Sequence, residues 1–190
     1  MEQDDKKMEP AQTPAADAEG SQPQQPKGYE AYLSLYDLVR LLAVITLVFV
    51  FFFRLVGVSG SSMYPTLHDK DIMLAYRLGY TPSQGDVVVI RKESFMEEAI
   101  VKRVIATEGQ EVEINYDTNT VYVDGVAMEE PYINQEDTDV MEEKQGMVYK
   151  EFTVPDGCIF VMGDNRNGST DSRFGSLGMV DTDYVLGRAV

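Results

Sequence analysis

A mainly β fold, an antiparallel sheet domain behind a disordered tail and one transmembrane helix, is what this sequence predicts, and three observations predict it. Beyond Val58, six short runs rich in β-branched residues (DVVVIRK, AIVKRVIA, EVEINY, TVYVDG, EFTVPDG and CIFVMGD) are punctuated by Gly, Asp, Asn and Pro. That is antiparallel strand patterning, and no run there keeps a helical period. Residues 1–30 are rich in Pro, Gln, Ala and charge and contain no Ile, Leu, Val or Phe, so they have nothing to bury. Between these two regions stands the only strongly apolar run of the chain, LLAVITLVFVFFF, Leu41 to Phe53, flanked by Arg40 and Arg54.

The elements follow in order. The tail is drawn over 1–35 and the transmembrane helix over 36–58. That length gives roughly 34 Å of helix at ~1.5 Å per residue, enough for a ~30 Å hydrocarbon core if the arginines snorkel. A buried core helix would need a polar face, which this run lacks. A cleavable secretory signal suits the thirteen apolar residues and the small Val58-Ser59-Gly60, but the acidic leader is the wrong kind of n-region. Charge does not orient the span, because Lys27 and Arg40 precede it while Arg54 and Lys70 follow. The remainder, 59–190, forms one folded domain of about 130 residues. NYDTNTVYVDG predicts a hairpin around Asp117 to Thr120, and the acidic stretch from Glu129 to Lys150 reads as a surface excursion.

Composition narrows the chemistry. There are 32 acidic against 16 basic residues, a formal charge of -16. Such a field repels phosphate, which argues against nucleic acid as a partner. One cysteine, Cys158, allows no internal disulfide, and one histidine, His68, allows no His-based metal cluster. A Ser/His arrangement would have to use His68, six residues from Ser62, so a hydrolase built on this chain needs a different base.

Three segments have the composition of a site. In GSSMYPT, Gly60 permits an unusual turn and Pro65 fixes the chain beyond it. A serine there can offer both a hydroxyl and a backbone N–H to one carbonyl, although Ser and Gly also make a soluble exit from a helix. In AIVKRVIA, strand alternation puts Lys102 on the face of Ile100 and Val104. An amine walled by aliphatics is poorly solvated, which favours its neutral form; a snorkelling or salt-bridged lysine is the plainer reading. In FVMGDNRNGSTDSRFGSLG an apolar strand runs into a loop dense in Gly, Asp, Asn, Ser and Arg, where a scaffold would hand polar groups to a site or simply satisfy its own turn. Tyr76, Tyr80, Tyr132 and the methionines read as core or rim, and His68 as solvent-facing.

Together SMYPT, VKRV and GDNRNGSTDSR, in that order behind an apolar span, strongly resemble the type I signal peptidases, membrane-bound serine proteases with a Ser/Lys dyad. The resemblance implies an antiparallel β-sheet catalytic domain with a small inserted β subdomain at about 108–150. It implies Ser62, rather than Ser59 or Ser61, as nucleophile and Lys102 as general base. Ser169 would orient the lysine, Asp171 and Arg173 would form a supporting ion pair, and Asp164 and Asn165 would shape their turn. The position two before the nucleophile, a hydroxyl donor in some relatives, is Gly60 here, so its backbone N–H is the expected second oxyanion donor. Val58, Met63, Leu67, Ile100 and Val101 match positions that line the substrate pocket. The resemblance further implies secretory preproteins with an A-x-A-like cleavage site as substrates, contact with membrane lipid, no metal or organic cofactor, a monomer, and a single-pass protein of the cell membrane whose catalytic domain is extracytoplasmic. Two rivals stand beside it: a Ser/Lys relative that processes itself or one partner, as repressor-type autoproteases do, and a tethered β module that binds without catalysis.

Overall fold

The computed structural model describes residues 28–133 and 140–190. Most of the predicted tail, residues 1–27, lies outside them. The chain divides into two units, 1–43 and 44–190. Helix α1 runs over Tyr29–Phe52, opens with Glu30 in its first turn, and buries none of its residues. The acid suits the positive end of the helix dipole. With a mean hydropathy of 2.2 over its most apolar stretch, α1 is long and apolar enough to cross a membrane.

α1 ends at Phe52, short of the expected 36–58. Its last turns are crowded with Val, Ile and Phe, which lose little on passing into a strand. Phe53–Gly57 becomes β1, paired antiparallel with β2, Ile72–Tyr76, in a register that sets Leu55 opposite Leu74. Part of what hydropathy assigns to the span is therefore sheet.

The other strands are β3 (Val87–Ile90), β4 (Ile100–Thr107), β5 (Glu111–Asn115), β6 (Thr120–Val123), β7 (Val126–Ala127), β8 (Glu151–Thr153), β9 (Cys158–Met162), β10 (Val180–Asp181) and β11 (Val185–Ala189). They build a seven-stranded sheet in the order β1-β2-β11-β3-β4-β9-β10 and a four-stranded sheet in the order β7-β6-β5-β8. Each pairing is antiparallel. The predicted hairpin is β5–β6, closing with Asn115 opposite Thr120. The small sheet is the inserted unit, and it closes only at Thr153, because β8 pairs with β5.

The core explains the layout. Val112, Ile114, Val121 and Val123 of the small sheet pack with Ile105, Ala106, Phe160 and Met162 of β4 and β9. Val88, Ile90, Val104, Ile159 and Val161 form a second cluster. Burying such a side chain contributes about 1.5–3 kcal/mol, so β4 and β9, which serve both clusters, are the best-anchored part of the domain. The lysine and the polar loop of interest are attached to these two strands.

Candidate active site

Ser62 lies in the loop that follows β1. The neck of that loop is closed by the Val58 N–H donating to Asp71 O at 2.8 Å and the Lys70 N–H donating to Val58 O at 2.9 Å. Gly60 has a φ of +90°, a conformation that side chains with a Cβ rarely adopt. Its N–H donates to Asp69 Oδ1 at 2.9 Å, so the expected second oxyanion donor is already engaged. Asn165 holds the serine turn from across the site. Its N–H donates to Ser62 O at 3.0 Å and its Nδ2 to Ser61 O at 3.2 Å. Among the described residues no acceptor takes the Ser62 N–H.

Lys102 is central in β4, opposite Val88 of β3, and only 4 % exposed. Its Nζ lies 2.9 Å from Ser62 Oγ and donates to Val101 O, also at 2.9 Å. Burial pushes the amine down from its usual 10.5 to about 8, against an upward pull from Asp171 and Asp164. That pull is blunted because each carboxylate already holds an arginine. Asp164 takes Arg103 through Nε at 2.8 Å and Nη2 at 2.6 Å, and it accepts from Thr66 Oγ1 at 2.5 Å. Asp171 takes Arg173 through Nε at 2.8 Å and Nη2 at 2.9 Å, with both side chains fully buried. No described carboxylate pairs with Lys102 itself. A desolvated amine beside neutralised acids is the environment that lets a sizeable share of a lysine be neutral near pH 8.

The loop after β9 supplies the remaining side of the site. The Gly163 N–H donates to Asp171 Oδ2 at 3.0 Å, which ties the ion pair to the end of the strand. Ser169 is 5 % exposed, and its Oγ has no partner among the described residues. The expected bond from Ser169 to Lys102 is therefore not made, yet the residue is adjacent: a Cβ on Gly163 would overlap both Ser169 Oγ and the Ser62 carbonyl oxygen. Of the predicted pocket residues, Leu67 and Val101 pack against a cluster containing Val58. Ile100 packs on the other side of the sheet, against the cluster of Val88 and Val104. Met63 is almost wholly buried at 2 % exposure, a supporting position rather than an open lining.

Sequence reading missed the Arg103–Asp164 pair. The signal was Arg103 itself, a second charge next to Lys102 in a strand whose other residues are mostly apolar. With two charges side by side in a buried strand, both need a partner or a shifted pKa.

A mainly β domain behind an apolar helix thus brings a loop serine into contact with a buried amine of β4, and the comparisons say to which class of protein it belongs. Residues 33–190 match the family model described as signal peptidase, peptidase S26. The chain belongs to that family of peptidases, whose members remove signal peptides. It is 36% identical over 163 residues to signal peptidase I of Bacillus licheniformis, covering 81% of this chain and 86% of the relative. It is 38% identical over 144 residues to signal peptidase I T of Bacillus subtilis, covering 72% of each. A crystal structure of a signal peptidase I from Enterococcus faecalis aligns with 58% of this chain and 98% of its own at 28% identity and a TM-score of 0.47.

Proposed function

We propose that this chain is a serine endopeptidase that cleaves signal peptides from secretory preproteins at the membrane surface, through an acyl-enzyme on Ser62 with Lys102 as general base. The observation that carries this reading is the 2.9 Å contact between Ser62 Oγ and a lysine amine that is 4 % exposed. Neutral Lys102 takes the Ser62 proton as Oγ attacks the scissile carbonyl. The oxyanion is held by the unengaged Ser62 N–H, and the Gly60 N–H joins when its contact with Asp69 opens. As the tetrahedral intermediate collapses, the lysinium gives its proton to the departing amine and an ester remains on Ser62. Water then attacks the ester while Lys102 accepts its proton, and that proton returns to Ser62 Oγ as the acid leaves.

Leu67 and Val101, half-buried and packed against the cluster of Val58, are the aliphatic side chains assigned here to the small residues of an A-x-A-like site. With α1 spanning the cell membrane once and the catalytic unit on the extracytoplasmic side, the serine meets a membrane-held preprotein at high effective concentration. The protein acts as a monomer in contact with lipid and needs no cofactor.

The test is the pH profile of kcat/KM for a synthetic preprotein with alanine at the first and third positions before the cut, using the full chain in detergent. Lys102 must be neutral to act, so activity is expected to rise about tenfold per pH unit up to about 8 and then level. A wild-type profile flat from pH 6 to 9, or no cleavage after the alanine, would refute the assignment.

Gly163→Ala should leave a folded but crippled enzyme. The added Cβ would sit 2.5 Å from Ser169 Cβ and overlap the Ser62 carbonyl oxygen. Because that oxygen is backbone, the nucleophile's turn must move. Misplacement on the order of 1 Å costs roughly 10²-fold in rate, whereas overpacking costs about 1–3 kcal/mol of stability. The expected result is a kcat lowered about 100-fold with a measurable but cooperative melt; unchanged kcat would mean the turn accommodates the methyl.

A further inference from the structure

Beyond the dyad and its loop, one feature of the small-sheet insertion reaches the site. After β7 the chain runs back through residues 129–133, and two of its side chains are spent on arginines next to the dyad. The Tyr132 ring lies under Arg103, with the guanidinium carbon 3.9 Å from the ring centroid. The Glu130 carboxylate takes both terminal nitrogens of Arg166, Nη1 at 2.9 Å and Nη2 closer still, with the paired side chains only 8 % and 6 % exposed. The two residues also support each other, since the Tyr132 hydroxyl donates to Glu130 Oε1 at 2.9 Å.

The positions of those arginines matter. Arg103 follows Lys102 in β4, and its guanidinium joins β4 to Asp164 and to Gly85 O, the latter at 2.8 Å. Arg166 Nε donates to Gly163 O at 3.2 Å, and Arg166 O accepts from Arg173 Nη2 at 2.5 Å. One arginine fixes the base's strand to the loop, and the other fixes the bend of the loop. Each is held on one side by the site and on the other by the insertion. The buried set Arg103, Arg166, Arg173, Asp164, Asp171 and Glu130 balances three positive charges against three negative ones, and without Glu130 it carries an uncompensated cation.

We propose that segment 129–133 is a positioning strap for the catalytic dyad, in which Tyr132 acts through Arg103 and Glu130 through Arg166 to hold Lys102 and the GDNR loop in register with Ser62. This rests on the reading of Ser62 and Lys102 as nucleophile and base. Neither Tyr132 nor Glu130 touches the reacting atoms. Tyr132 keeps Arg103 on Asp164, and Glu130 keeps Arg166 on the bend at Gly163 O. The charged groups facing Lys102 are Asp164 and Asp171, with Arg103 beside it on β4. If the strap loosens, Asp164 loses its hold on Arg103, water enters, and the amine takes up a proton more readily.

The test compares wild type, Tyr132→Ala, Tyr132→Phe and Glu130→Gln as full chains in detergent. Cleavage of the same synthetic preprotein is followed from pH 6 to 10, and melting is measured alongside. Tyr132→Ala should lower kcat about 10- to 100-fold with KM within about twofold, and should move the acid limb of the profile above its wild-type position. Tyr132→Phe keeps a ring over Arg103 and should recover most of kcat and the original limb. Glu130→Gln, nearly isosteric, should lower kcat in the same direction while still melting cooperatively, which keeps the strap testable if Tyr132→Ala does not fold. Folded variants with wild-type kcat and pH limb overturn the strap, as does a Tyr132→Phe protein as impaired as Tyr132→Ala. A wild type no faster than Ser62→Ala instead removes the dyad reading, and the strap with it.

Discussion

Lys102→Met should abolish preprotein cleavage and yet make the protein more stable at neutral pH. The loss of activity follows from the geometry: Nζ is the one basic side-chain group bonded to Ser62 Oγ among the described residues. A general base contributes roughly 10²- to 10⁴-fold, and a nucleophile that cannot shed its proton falls further, so a drop on the order of 10⁴ or more is expected. The stability gain follows from the shift. The amine titrates at about 8 when folded and at its usual 10.5 when exposed. Below pH 8 both states carry the proton, and the folded state bears the full penalty, roughly 3 kcal/mol. Between 8 and 10.5 the unfolded chain holds a proton that the folded one does not, so stability rises with pH across that window; above it the penalty is gone. Methionine, similar in length and apolar, removes the penalty and gives up two hydrogen bonds of about 1 kcal/mol each. The variant should therefore be more stable by on the order of 1 kcal/mol at pH 7 and less stable by about 2 kcal/mol above pH 10.5, where only the two lost hydrogen bonds count. Denaturant titration at the two pH values checks the crossing. A variant less stable than wild type at pH 7 would mean that the lysine is well solvated or ion-paired.

That lysine was legible in the sequence, and the reasons show what was not. β3, β4, β5, β6, β8 and β9 announce themselves through β-branched runs bounded by turn residues. β1 does not, because Phe53–Gly57 continues an apolar run that suits lipid and sheet equally, and only its pairing with Ile72–Tyr76 decides. β2, IMLAY, and β11, VLGRA, have weak strand composition; they are strands because the sheet around them supplies partners. The same distinction runs through the site. Ser62 and Lys102 sit in motifs that can be read locally. Arg103 meets Asp164 across 61 positions and Arg166 meets Glu130 across 36, and no local pattern encodes which arginine takes which acid. Composition puts Tyr132 in the core or rim, where a lone tyrosine usually belongs. Its role depends on a guanidinium that folding brings above it. The Ser169 hydroxyl shows the opposite failure, since a motif position fixed its neighbourhood but not its hydrogen bond.

Ser62→Ala should remove cleavage as completely as Lys102→Met while leaving substrate binding intact. The turn that carries Ser62 is held through its backbone, by Asn165 on the carbonyls of Ser61 and Ser62 and by Asp71 and Lys70 on Val58, and none of these bonds uses Oγ. Deleting one oxygen therefore removes the proposed nucleophile and none of the bonds that hold its turn, and Val58, Leu67 and Val101 keep their packing. The expected loss is, as for Lys102→Met, on the order of 10⁴-fold or more in kcat, with preprotein affinity within about twofold, so the variant should retain uncut preprotein in a binding assay. Because serine and lysine act as one unit, the double variant Ser62→Ala/Lys102→Met should be no slower than either single variant, a non-additivity that independent contributions would not give. An acylating β-lactam-type inhibitor supplies a readout independent of turnover. It should add its mass to the wild type at Ser62 and leave Ser62→Ala unmodified. Labelling that persists in Ser62→Ala would move the nucleophile to a neighbouring hydroxyl such as Ser61 or Ser59, and the 2.9 Å contact with Lys102 would then be structural.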